Sequence, residues 1–232
     1  MSTPCRTSHG PKLTHGAETC CFLRNPCCSW TTRGIAAVVL LVLAACSGPK
    51  KIGPAPPQFK TLLNTSKGRV VILVHRDWAP IGADRFYELV KIHYYDDNYF
   101  YRALKGFIVQ WGLNGDDKVS KDWIALTIKD DPRKQDNLRG RVSFAKQEEP
   151  NSRSTTVFIN LANNKLLDDQ GFVPFGEVVE GMDTVDHFYM EYGEGPPEGE
   201  GPDAKAVLDL GNGYIWHHFD KLDSIRKATI LE

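Results

Sequence analysis

The stretch Phe100-Tyr101-Arg102-Ala103-Leu104-Lys105-Gly106-Phe107-Ile108-Val109-Gln110-Trp111-Gly112 constrains the fold more than any other. Apolar residues run on both sides of Lys105-Gly106, the pattern of two strands joined by a tight turn. A single Arg and a single Gln interrupt them. An Arg within an apolar strand is expensive to bury unless it lines a cleft or has a partner. The other reading is an edge strand whose Arg lays its stem on apolar surface and keeps its head in water.

The flanking sequence supplies more short strands. Arg69–His75 holds Val70, Val71, Ile72, Leu73 and Val74, a strand run. Trp78-Ala79-Pro80 leads into a predicted helix near Gly82–Tyr94, with Phe86, Leu89, Val90 and His93 at helical spacing. The hairpin predicts strands near 99–104 and 107–111. Residues 112–139 are polar and turn-rich, which predicts a long surface loop with a short strand near Trp123–Ile128. Arg141–Ala145, Thr156–Leu161 and Phe175–Glu180 read as further strands, and Met182–Met190 as a second helix. Residues 191–203 are rich in Gly, Pro and Glu and must be a loop. Ala204–Leu210 reads as a short helix; Tyr214, Ile215, Trp216 and Phe219 form an aromatic cluster expected to cap the core. Ser224–Leu231 reads as the closing strand. About seven or eight short strands with two main helices predict a closed antiparallel barrel.

The chain carries a formal net charge of −1, so no basic footprint for nucleic acid is expected. It has no Gly-rich phosphate loop, no Gly-x-Ser-x-Gly elbow and no His-Glu-x-x-His. His217-His218 are adjacent rather than four apart, and the pairs Cys20-Cys21 and Cys27-Cys28 lack Cys-x-x-Cys spacing. No metal and no cofactor are therefore expected.

All 6 cysteines lie at or before Cys46, so the folded domain is expected to form no internal disulfide. The apolar run Gly34–Ala45 follows Arg24 and Arg33. It is shorter than the roughly 20 residues that span a bilayer and fits the core of a secretory signal. Its end, Leu43-Ala44-Ala45-Cys46, resembles the bacterial lipobox, in which the cysteine is acylated and becomes the new amino terminus. Two or more acyl chains give stable anchoring. The alternative is an ordinary signal peptide or a weak anchor helix. Ser47 lacks the Asp that commonly retains lipoproteins at the inner membrane. The expected location is thus the cell envelope, at the periplasmic face of the outer membrane in a Gram-negative host. A start codon assigned too far upstream would explain residues 1–33, which show no hydrophobic periodicity. The expected organisation is a signal segment over 1–46, a Pro-rich tether over 47–68 and a folded domain over 69–232.

Four stretches occur in one order: Phe100–Gly112, Gly140-Arg141-Val142-Ser143-Phe144-Ala145, Thr155-Thr156-Val157-Phe158-Ile159, and Phe175-Gly176-Glu177-Val178-Val179-Glu180-Gly181-Met182-Asp183. Together they resemble the cyclophilin family of peptidyl-prolyl cis–trans isomerases. The resemblance covers about Arg69 to Ile230. It implies a mainly β fold, a closed eight-stranded antiparallel barrel capped by two α-helices, with an insertion at about 191–222. The family's catalytic pair falls on Arg102 and Gln110. Its substrate-binding residues fall on Tyr101, Phe107, Ile108, Ala145, Lys146, Thr156, Phe158, Leu166 and Phe172. Several positions depart from the family pattern. Tyr101 replaces the usual His, Thr156 stands where Gln is common and Phe144 where Met is common. Leu166 stands where many members have Trp, and Phe172 where the pocket rim has His.

The implied function is acceleration of X-Pro rotation in exported polypeptides, which assists their folding. The expected partners are proline-containing segments of exported proteins, and the membrane through Cys46. The alternative is a catalytically weak peptide- or partner-binding module of the same fold, anchored at the membrane.

Overall fold

The computed structural model describes residues 52–231. The expected signal segment, with Cys46, lies outside the described residues. Nine strands form one sheet: β1 (Gln58–Thr65), β2 (Arg69–His75), β3 (Asn98–Tyr99), β4 (Arg102–Leu104), β5 (Ile108–Trp111), β6 (Arg141–Phe144), β7 (Val157–Asn160), β8 (Pro174–Glu180) and β9 (Ser224–Leu231). The order across the sheet is β3-β9-β1-β2-β8-β6-β7-β5-β4. Every pairing is antiparallel.

The two edge strands, β3 and β4, are consecutive in the chain and separated only by Phe100 and Tyr101. Three virtual bonds of 3.8 Å hold Tyr99 and Arg102 within about 11 Å of each other. The sheet must therefore curl until its edges meet. No ladder pairs those edges among the described strands. The expected closed eight-stranded barrel is thus a nine-stranded sheet, brought round by chain connectivity rather than closed by hydrogen bonds. The single strand expected near 99–104 is split between its two edges.

The expected tether over 47–68 is corrected in the same way. Residues 58–65 form β1, paired with β2 on one side and β9 on the other. Phe59, Thr61, Leu63 and Thr65 are buried, while Gln58, Lys60 and Asn64 face solvent, the alternation of a half-buried strand. The Pro-rich onset hid this period.

Helix α1 (Pro80–Lys91) starts with Pro in its first turn and buries Ala83, Phe86, Leu89 and Val90 against the sheet's inner face. The strand expected at Trp123–Ile128 does not form: helix α2 (Asp117–Ile124) takes its first two positions and a turn follows. The Asp116 side chain accepts from the amides of Lys118 and Val119 and so caps it. A single bridge, Ile128 with Arg153, remains of the expected strand. Short helices α3 (Lys165–Asp169), α4 (Met182–Asp186), α5 (Ala204–Leu210) and α6 (Asn212–His218) complete the described chain. The second helix thus ends at Asp186, well short of the expected Met190.

The core joins α1 to the inward residues of the sheet. It includes Phe86, Phe100, Val109, Trp111, Val142, Phe144, Ile159 and Phe175. Gly112 ends β5 with a φ of 121°, and a Cβ there would stand 2.4 Å from the Thr155 carbonyl oxygen. Only glycine permits this approach between β5 and the start of β7.

Candidate active site

Side chains along a strand alternate between faces. In the hairpin, Ala103, Val109 and Trp111 turn into the core, which sends Arg102, Ile108 and Gln110 to the outer face. The register then builds a row across three strands. Arg102 stands opposite Gln110, Gln110 opposite Phe158, and Phe158 opposite Ser143. The Lys105-Gly106 turn closes on a Phe107 amide bond to the Leu104 carbonyl at 2.9 Å, with Gly106 at a φ of 71°. The Arg and the Gln that interrupted the apolar run are therefore cross-strand neighbours.

A hydrogen-bond chain fixes both. Gln110 Nε2 donates to the Tyr101 hydroxyl at 2.8 Å, which turns Gln110 Oε1 toward Arg102. Arg102 Nη1 donates to that oxygen over a longer 3.5 Å. On its other edge, Arg102 meets Glu194. Nε donates to Oε1 at 2.7 Å and to Oε2 at 3.0 Å, and Nη2 donates to Oε2 at 2.6 Å. Their side chains are 27% and 30% exposed, so the pair is largely screened from bulk water. Hydrogen bonding to the guanidinium holds the Glu194 carboxyl below its ordinary range. Burial pushes the Tyr101 phenol up, so it stays a neutral hydroxyl at physiological pH.

Beside this chain lies a small apolar cluster distinct from the core. Ile108, Phe158 and Leu167 are buried in it; Phe107, Ala145 and Phe172 are only partly covered. The rings of Phe158 and Phe172 meet edge to face at 5.6 Å. The Arg102 guanidinium carbon lies 5.9 Å from the Phe107 ring centre, and Lys146 Nζ lies 5.5 Å from that of Phe172. An adjoining groove of about 400 Å³ is lined by Tyr101, Gln110, Ala145, Lys146 and Thr156, among others. The fold thus gathers Arg102, Gln110 and eight of the nine expected substrate-binding residues in one neighbourhood. Leu166 differs: its side chain is 64% exposed, and its neighbour Leu167 fills the apolar cluster. Successive helical residues point about 100° apart, and in this short helix Leu167 rather than Leu166 is the one turned inward.

An extended peptide laid along this face would meet apolar surface for a ring, a directed guanidinium and an amide within one span. The family model described as cyclophilin type peptidyl-prolyl cis-trans isomerase/CLD matches residues 60–200. The chain belongs to the cyclophilin family of peptidyl-prolyl cis–trans isomerases. A peptidyl-prolyl cis-trans isomerase A from Dickeya dadantii is 32% identical over 158 residues, covering 66% of this chain and 82% of the relative. A peptidyl-prolyl cis-trans isomerase from Acinetobacter baylyi is 32% identical over 129 residues, covering 53% of this chain and 68% of the relative. Among solved structures, a Cryptosporidium parvum cyclophilin type isomerase superposes with a TM-score of 0.55 at 19% identity. The match covers 75% of this chain and 98% of that one, a likeness of fold. The same isomerase has been solved in the presence of the dipeptide Ala-Pro.

Two features of this cyclophilin escaped sequence reasoning. Glu194 read as one acid among several in a Gly/Pro/Glu loop. Tyr214, Ile215 and Phe219 do not cap the barrel core as expected. They join a second cluster with Tyr101, Leu113, Val207 and Leu222, while Trp216 is 63% exposed. The Gly-Glu-Gly pattern around Glu194 recurs at Gly199-Glu200-Gly201, so nothing in the sequence singles out Glu194.

Proposed function

We propose that this cyclophilin accelerates X-Pro rotation in exported polypeptides and assists their folding while held at the membrane through acylated Cys46. Amide resonance sets a rotation barrier of about 18–20 kcal/mol. Unaided X-Pro isomerisation takes tens to hundreds of seconds. Rotation breaks no σ bond, so the catalyst need only favour the twisted amide over both planar forms. As the bond twists, the prolyl nitrogen leaves conjugation and regains a lone pair. A guanidinium already aimed at that nitrogen stabilises the twisted state without reorganising. Arg suits this role because its planar fork stays charged and keeps its direction.

One observation carries the reading: Arg102, Gln110 and Phe158 occupy one cross-strand row. Phe158 and its partners Phe107, Ile108, Leu167 and Phe172 would hold the pyrrolidine ring. Gln110 would orient Arg102 or bind a substrate carbonyl. Ala145, Lys146, Tyr101 and Thr156 would line the peptide beyond the ring. The dipeptide used with the Cryptosporidium parvum relative, Ala-Pro, is the minimal ligand of this kind.

The test is cis-to-trans relaxation of a short X-Pro peptide with the full chain and with Arg102→Ala. The expected result is acceleration by the unmutated protein and a fall of about 100- to 1000-fold in kcat/KM for the variant, the scale of removing one preorganised donor. No acceleration by the unmutated protein would leave only the binding-module alternative. For the anchor, Cys46→Ala is expected to move the protein out of the membrane fraction. Retention without processing would point to an anchor helix instead.

A further inference from the structure

The carboxylate on Arg102 comes from the loop between α4 and α5, which approaches the outer edge of β4. Ala103 and Gly193 form an antiparallel bridge. In that register the next facing pair is Arg102 with Glu194, so Glu194 extends the site's row by one position. The row reads Glu194, Arg102, Gln110, Phe158.

The loop is built to keep Glu194 in place. The Gly201 amide donates to the Glu194 carbonyl at 2.7 Å, and the Gly195 amide donates to Glu194 Oε1 at 3.2 Å. A Cβ on Gly201 would stand 2.7–2.9 Å from the carbonyl oxygens of Gly193, Glu194 and Tyr192. Glycine at 201 thus lets the loop fold back on itself beneath the carboxylate. Among the described residues, Arg102 has no salt-bridge partner besides Glu194.

We infer that Glu194 is a positioning residue for the isomerase reaction, clamping the Nε–Nη2 edge of Arg102 so that Nη1 is directed toward Gln110. This rests on the assignment of Arg102 as the donor to the substrate. A guanidinium carries five N–H donors in a fixed fork. Nε–H and one Nη2 hydrogen go to Glu194; Nη1 and the remaining Nη2 hydrogen stay available for Gln110 and a ligand. A long Arg side chain free in solvent samples many rotamers, and freezing it on binding opposes catalysis. A bidentate carboxylate fixes two atoms of the fork and so orients the whole plane.

The experiment compares kcat and KM of the full chain for X-Pro peptide turnover in Glu194→Ala, Glu194→Gln, Arg102→Ala and the double variant Arg102→Ala/Glu194→Ala. The clamp predicts that Glu194→Ala lowers kcat about tenfold with KM changed less than about twofold, since the lost organisation acts on the twisted state. Glu194→Gln keeps the size and one acceptor oxygen, so it should recover part of that loss. The double variant should be no slower than Arg102→Ala alone, because Glu194 acts through Arg102. An unchanged or raised kcat in Glu194→Ala would overturn the clamp, and a rise would mark the carboxylate as a competitor of the substrate. A fully additive double variant would also overturn it and assign the loss to the fold. If the unmutated protein does not accelerate the peptide, the isomerase reading and the clamp fall together. If it does and Glu194→Ala matches it, only the clamp falls.

Discussion

Two apolar clusters flank the polar pair Arg102 and Gln110, and they differ in the size of their buried part. In the first, Ile108, Phe158 and Leu167 are buried, but Phe107, Ala145 and Phe172 keep part of their surface open. In the second, Tyr101, Leu113, Val207, Ile215, Phe219 and Leu222 are buried, and Tyr99, Ile124, Tyr192, Leu208 and Tyr214 pack on them while keeping part of their surface open. Apolar surface left open beside a fixed cation is surface a ligand can cover. The second cluster, with six buried residues to the first's three, has gained more burial energy from the fold. The first cluster is therefore read as the ring-binding surface. The second is read as the support that holds Tyr101, and through its hydroxyl Gln110, in register.

The sharpest way to break this contrast is to hollow out the second cluster. Ile215 is fully buried, so Ile215→Ala should destabilise the protein by roughly 2–5 kcal/mol through lost burial and the cavity left behind. Denaturant melts would read this, and a loss below 1 kcal/mol would show that the cluster is not packed as described. Where enough folded protein remains, its kcat should also fall, because Tyr101 is the acceptor that orients Gln110.

Truncation in the first cluster should act on binding rather than folding. Phe172→Ala removes a half-covered ring and is expected to raise KM for X-Pro peptides about tenfold, with stability changed by about 1 kcal/mol or less. A large stability loss with unchanged KM would exchange the roles of the two clusters.

The smallest effect is expected from acid. Glu194 ionises below the ordinary glutamate value of 4.5 because Arg102 bonds its charged form. A carboxyl depressed in the folded state binds fewer protons there than in the unfolded chain. Its contribution is therefore fully present above pH 4.5 and fades as pH falls through the depressed value. The pH profile of kcat should stay level from neutrality down to about 4.5, as far as this group sets it, and decline below that. Glu194→Gln should lack that decline. An early loss of activity above pH 5 in the unmutated protein alone would contradict the pairing.

The ring-binding side was readable from sequence, though not from local pattern alone. Arg102 and Gln110 stand out as the polar residues within the hairpin's apolar strands, whereas Ile108 and Phe158 sit in unbroken apolar runs and were placed by the family resemblance. The supporting side was not. Tyr214, Ile215 and Phe219 have the composition of any core, and nothing in their spacing says which core they join. The two adjacent leucines of α3 were equally ambiguous, and the orientation of one short helix settled which of them packs. At Trp123–Ile128, the helix capped by Asp116 runs on through Trp123 and Ile124, and only the Ile128 bridge to Arg153 is left of the expected strand.

By itself the sequence determined the hairpin and the polar pair within it, since turn residues act over a few positions, and the family resemblance supplied the roles. Tertiary structure alone decided that β1 lies inside the sheet between β9 and β2 and that the sheet's edges meet around Phe100-Tyr101. It also decided that Glu194, 92 residues from Arg102, completes the row. Such pairings depend on the register between segments distant in the chain. That register is fixed only when the whole sheet curls and the glycine-rich loop folds against its edge.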